Sequence, residues 1–300
     1  SWGGDGFQQT MLDAIKYARD KGVIFVAAAG NDDRNNDLYP HYPSNYASEN
    51  MLAIAASDQA DNLARFSNVG KKTVHLAAPG VNVQSTWLNN SYQYLDGTSM
   101  ATPHVSGVAA LIWAQYPDLS YREVMVRIMG GVDRRGDYAN FLASSGRLNA
   151  AEALTTQPVV AFMTEREDSL DTQGPYVVSA EATDNGSISS LTLYYNVDDG
   201  ETTQVNMTNT GAAKYEAGIP GQAEDATIKY FVEATDNEGN RVRTHVVEFD
   251  IANRGLGGCC GGPGVTVAGM DSPLEQGVTM VANVFLLGLA VHRVGRRRKR

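Results

Sequence analysis

The stretch Gly97-Thr98-Ser99-Met100-Ala101-Thr102-Pro103-His104-Val105 (GTSMATPHV) brings together a serine and, five residues on, a histidine. A serine hydroxyl is a weak nucleophile at its own pKa and attacks a carbonyl only when a positioned base takes its proton. Spacing decides whether His104 is that base. Along a helix, five residues turn by about 140° and climb about 7.5 Å, so the two side chains face different sides, beyond hydrogen-bond reach. His104 therefore reads as a satisfied core histidine near a helix start. His41 and His75 lie in loop or strand contexts without an aspartate pattern, His245 lies in a β-rich region and His292 in the C-terminal tail. Ser99 has a nucleophile's surroundings, and the histidine beside it is not its base. Taken alone, Gly-Thr-Ser is also an ordinary helix-capping turn.

The elements that would hold Ser99 are legible from periodicity. Residues 7–20 carry Phe7, Met11, Ile15 and Ala18 at helical spacing, with Gly22 placed as a C-terminal cap. Short apolar runs at 23–30, 51–56 and 74–80 read as buried parallel strands. Residues 100–116 read as a long helix buried on most sides. Ser120 with Glu123 forms a capping box that opens a helix over 121–129. Together these predict an α/β layer architecture up to about Leu154.

Beyond Pro158 the pattern changes to short runs alternating apolar and polar residues, such as YVVSAEATD, TIKYFVEATD and RTHVVEFDI, separated by turn clusters. That pattern predicts an antiparallel sandwich of immunoglobulin or fibronectin III type, folding independently over 158–253. ATDNG (182–186) and ATDNEG (234–239) read as two equivalent corners of it. Asp236, Glu238 and Asn240 are assigned to turn chemistry rather than calcium. Residues 254–277 read as a Gly-rich linker, and 278–300 as an apolar run with a basic end.

A chain of 300 residues with 43% hydrophobic content has room for about two domains. Its formal charge is -10, yet six of the 24 Lys and Arg fall in the last eight residues, so the remainder has 18 against 34 acidic, or -16. So acidic a body would repel phosphates, which excludes nucleic acid as a partner. Cys259 and Cys260 are adjacent, so no disulfide framework is implied. The opening SWGGDGF reads as a start inside a domain.

GTSMATPHVSG (97–107) resembles the nucleophile motif of the subtilisin-like serine proteases, the subtilase family. SWGG (1–4), VAAAGND (26–32), YPSNYASENMLAIAASD (43–58), RFSNVG (65–70) and APGVNVQST (78–86) resemble that family's successive segments in order, so the resemblance covers about residues 1–154. It implies a subtilisin-like parallel-sheet domain over 1–157, with Ser99 as nucleophile and Asn31 donating its side-chain amide to the oxyanion. Substrate would lie along Ser1, Trp2, Gly3, Ala28, Ala29 and Gly30. The family's Asp and His motifs precede its serine. Neither occurs here, so the triad's other members are expected upstream and the 300-residue chain alone is expected to be inactive. The resemblance further implies protein or peptide substrates and calcium, with no calcium ligands identifiable in the sequence. No other cofactor is identifiable.

Residues 278–291 would span about 21 Å as a helix, short of the roughly 30 Å hydrocarbon core. Small residues with cysteine, a short apolar helix and an arginine cluster resemble bacterial C-terminal sorting tags, which implies a processing protease as partner and a mature end near residues 257–262. A plain anchor, with the C-terminus cytoplasmic, is the alternative. Either way the protein is expected outside the cell or at its surface. Two rivals for function stand beside the protease. An α/β-hydrolase elbow needs Asp and then His after the serine, and only His245 and His292 lie beyond that helix. A non-catalytic cell-surface protein would carry its function in the sandwich.

Overall fold

In the computed structural model, which describes residues 1–252, the first helix forms as α1 (Gln9–Asp20). Gly22 follows it at φ +76°, and its amide returns to the Arg19 carbonyl, the left-handed stop that a glycine permits. The three apolar runs become β1 (Phe25–Ala28), β2 (Met51–Ser57) and β3 (Leu76–Pro79), paired in parallel. All seven residues of β2 are buried, as a strand covered on both faces requires. Next comes a hairpin, β4 (Val83–Trp87) and β5 (Ser91–Leu95), that the sequence pattern does not announce. Its turn sets Asn89 and Asn90 at φ +59° and +55°, a conformation asparagine tolerates.

Helix α2 (Thr98–Gln115) packs Ala101, Val105, Val108, Ala109 and Ile112 onto the sheet. The sequence suggests burial on most sides; the structure buries one face only, leaving Pro103, His104, Gly107, Ala110, Leu111 and Ala114 exposed. Helix α3 (Tyr121–Gly130) opens on the expected capping box, with both Ser120–Glu123 hydrogen bonds made. Short strands β6 (Asp133–Arg134) and β7 (Gly146–Arg147) then complete a sheet of order β1-β2-β3-β7-β6, parallel except at β6, and α4 (Ala150–Ala153) follows.

The remaining strands are β8 (Val159–Ala161), β9 (Tyr176–Thr183), β10 (Ile188–Val197), β11 (Thr203–Asn206), β12 (Thr208–Gly211), β13 (Lys214–Ile219), β14 (Thr227–Asp236), β15 (Arg241–Arg243) and β16 (Val247–Asp250). They form two antiparallel sheets. One has the order β12-β13-β9-β8; the other runs β11-β10-β14-β15, with β16 also on β14. Val178 and Ala180 from the first meet Leu193, Ile228, Tyr230 and Phe249 from the second in one buried core. At the two similar corners, the Asp184 carboxylate accepts the Gly186 amide and the Asp236 carboxylate accepts the Glu238 and Asn240 amides, which is turn chemistry.

Independence of this region meets an obstacle in β8. Val159 and Ala161 pack into the core under α2 and α3, while Val160 packs into the core between the two antiparallel sheets. The described residues accordingly fall in one compact unit, Ser1–Arg254. The linker and the apolar run with its basic end lie outside the described residues, as do Cys259, Cys260 and His292. Among the described residues, no helix is long and apolar enough to cross a membrane.

Candidate active site

Strand β1 delivers the site's first residue. Ala28 pairs with Ile54, the Ala29 amide donates to the Ile54 carbonyl, and the Ala29 carbonyl accepts from the Asn36 side chain at 2.8 Å. Ala29 is fully buried with both main-chain groups engaged, so of the substrate-lining positions expected from sequence it is a core support without a free group to offer. Gly30 then bends the chain at φ +114°. A Cβ there would overlap the Asn68 amide, so both conformation and space demand glycine. Asn68 makes the close approach because it holds the next turn: its Oδ1 accepts from the Asp32 and Arg34 amides, and its Nδ2 donates to Asn36.

Asn31, set by that turn, meets the first residue of α2. Its Oδ1 accepts from the Thr98 amide at 2.8 Å and from the Thr98 hydroxyl at 2.9 Å. With the oxygen held, the NH2 end of the amide is fixed in direction, and Nδ2 lies 3.7 Å from where a Cβ on Gly97 would sit. Thr98 is fully buried, and its hydroxyl also receives the Gly30 amide at 3.3 Å. Sequence reasoning missed Thr98 as the anchor of Asn31; its place inside GTS, next to the serine, is the one signal available.

Ser99 follows in the first turn of α2, where amides have no acceptor within the helix. Farther along, Pro103 has no N–H to give the Ser99 carbonyl four residues back. Ser1 fills that gap: its hydroxyl donates to the Ser99 carbonyl at 3.0 Å, and the Ser99 hydroxyl donates to the Ser1 carbonyl at 3.4 Å. The structure thus brings Ser1, Gly30, Asn31, Thr98 and Ser99 together. Trp2 is 59% exposed beside them, and Gly3 lies against His41.

No histidine of the described residues bonds to Ser99. The His104 ring donates from Nδ1 to the Met100 carbonyl at 2.9 Å, as a satisfied group. It is exposed, however, which corrects the core placement expected of it. His41 bonds Ser44 and His75 bonds the Ala53 amide, while His245 pairs with Glu165. Among the described residues, three or more His, Cys, Asp or Glu side chains do not gather into a possible metal group.

The sequence of this first half has known counterparts. The model of the subtilase family (Peptidase_S8) matches residues 1–146. A thermophilic serine proteinase of Bacillus sp. (strain AK1) is 40% identical over 156 residues, 52% of this chain and 36% of that protein. Thermitase of Thermoactinomyces vulgaris is 40% identical over 152 residues, covering 51% of this chain and 50% of its own. Subtilisin DY of Bacillus licheniformis is 38% identical over 154 residues, with 51% and 54% covered. The chain thus spans between about a third and about half of the length of these relatives, all of which are homologous to its first half.

Proposed function

Because residues 1–146 are subtilase-like in sequence and form a subtilisin-like α/β layer, we propose that this chain is the nucleophile-bearing part of a serine endopeptidase. One observation carries the proposal: Thr98 pins the Asn31 amide beside the helix turn that presents Ser99. In this reading the Ser99 hydroxyl attacks a peptide carbonyl, and a C–O bond forms as its proton passes to a histidine. That histidine and its aspartate partner belong to sequence outside these 300 residues. The carbonyl oxygen becomes an oxyanion held by Asn31 Nδ2 and the Ser99 amide, both fixed before reaction. Collapse breaks the C–N bond as the histidine returns the proton to the amine, and water then hydrolyses the acyl-serine. The exposed face of α2, with Leu111 at 53% exposure, is the surface on which the completing sequence would pack.

We further propose a division at about residue 157, with an immunoglobulin- or fibronectin-like sandwich over 158–253. The acidic body would be secreted or held at the cell surface, its linker and apolar tail serving as sorting tag or anchor. Protein or peptide substrates are the partners this assigns, with a processing protease for the tail.

The test uses the longer protein that contains this chain. Casein cleavage and labelling by a fluorophosphonate are expected for the wild type and absent for Ser99→Ala. The 300-residue chain alone should label far more slowly. Casein cleavage at the wild-type rate by the Ser99→Ala protein would refute the assignment.

A further inference from the structure

A peptide attacked by Ser99 has little choice about where its acyl residue lies. The carbonyl carbon must reach the Ser99 hydroxyl, which touches the Ser1 carbonyl, and the oxygen must face Asn31, which directly follows Gly30. In the proposed reaction the side chain of that residue lies between segment 1–4 and the end of β1, the two segments that flank these groups. That space contains the ring of His41. A Cβ on Gly3 would overlap His41 Cε1 and come within 2.6 Å of Nε2, and a Cβ on Gly30 would lie 3.2 Å from Cδ2. The imidazole is sandwiched between the two glycines, in contact range of both.

The ring is also held there. His41 is 8% exposed, and its Nδ1 lies 3.1 Å from the Ser44 hydroxyl. Its main-chain amide donates to Asn45, and Tyr42 next to it exchanges both main-chain hydrogen bonds with Gly4. Burial pushes the imidazole below its ordinary range, opposed by Asp32 and Asp5, so near neutral pH it acts by volume rather than charge.

We propose that His41 closes the pocket for the residue on the acyl side of the cleaved bond, so that the enzyme cuts after small residues such as Gly, Ala or Ser and rejects aromatic and long aliphatic ones. This rests on the proteolytic reading above. Its test is a set of quenched peptides, differing only at that residue, offered to the longer protein. The wild type should favour Ala over Phe and Leu by about tenfold or more in kcat/KM. His41→Gly should raise Phe and Leu by about tenfold while Ala changes less than about threefold. The main-chain bonds of the loop survive this change, since Ser44 also donates to the His41 carbonyl. A wild type that favours Phe or Leu would overturn the proposal without recourse to any variant, and so would an unchanged profile in a His41→Gly protein that still labels with fluorophosphonate. Wild-type protein that fails to label would instead defeat the proteolytic reading, and this inference with it.

Discussion

At the scale of single residues the proposed reaction depends on hydrogen bonds that fix the Asn31 amide before substrate arrives. Replacing Asn31 by Ala removes the donor, and kcat should fall by about 10²–10³ with KM little changed. That magnitude is the one known for such a donor in subtilisin itself and is borrowed here. Thr98→Val keeps the side-chain volume but deletes the hydroxyl that pins Asn31, while the Thr98 amide continues to hold the same oxygen. One neutral hydrogen bond is worth about 1 kcal/mol, so kcat should drop by roughly fivefold to tenfold. Steady-state kinetics on the longer protein reads both, and a Thr98→Val protein as slow as Asn31→Ala would mean that the hydroxyl acts directly on the reacting atoms.

At the scale of elements, the sharp exit from β1 depends on Gly30. An alanine there would adopt φ +114° and overlap Asn68, costing about 3 kcal/mol from conformation and overpacking together. The midpoint of denaturant unfolding should fall accordingly, and activity should fall with it. At the start of β3, the His75 ring completes the ladder beside β2: its main-chain amide donates to the Ala53 carbonyl, and its Nδ1 accepts the Ala53 amide at 3.0 Å. An acceptor nitrogen cannot carry a proton, and burial pushes His75 from 6.5 down to about 4. The unfolded chain takes up that proton below its ordinary pKa, and the folded one does not until about pH 4. Stability from this group is therefore complete above pH 6.5 and declines as pH falls towards 4. His75→Gln, whose carbonyl oxygen can accept the same amide, should flatten that part of the melting-temperature profile. An unaltered slope would show that other groups set it.

Across the whole molecule, the α/β layer and the antiparallel sheets are joined by β8 and by Arg122. This α3 side chain binds both oxygens of Glu181 on β9, with Nε at 2.6 Å from Oε2, donates to the Glu49 carbonyl and stacks over Phe162. The Glu181 side chain is only 9% exposed, so Arg122→Ala leaves a nearly buried carboxylate without its cation. A loss of about 3 kcal/mol is expected, and the double variant with Glu181→Gln should recover part of it. A segment beginning at residue 158 would expose Val159 and Ala161, which argues that it unfolds at lower denaturant than the same region within the chain. Equal midpoints would show that the two antiparallel sheets fold independently.

Much of this protein was legible in its residues. The parallel strands are continuous apolar runs because both faces are covered; α1 ends at Gly22 and α3 begins at Ser120 because only certain side chains satisfy or tolerate helix ends. The segments that carry Ser99 and Asn31 stood out through a series of local motifs in one order, which resemble those of a single family. Tertiary structure decided what sequence spacing cannot encode. Thr98 meets Asn31 across 67 positions, Ser1 meets the carbonyl that Pro103 frees across 98, and the two valines of β8 face separate cores. His104 turned outward because α2 has one covered face among the described residues, and His41 entered the space between Gly3 and Gly30 because neither has a side chain to exclude it. Periodicity reports whether a residue is covered within its own element; what covers it, and what it touches there, depends on chain segments that only folding brings together.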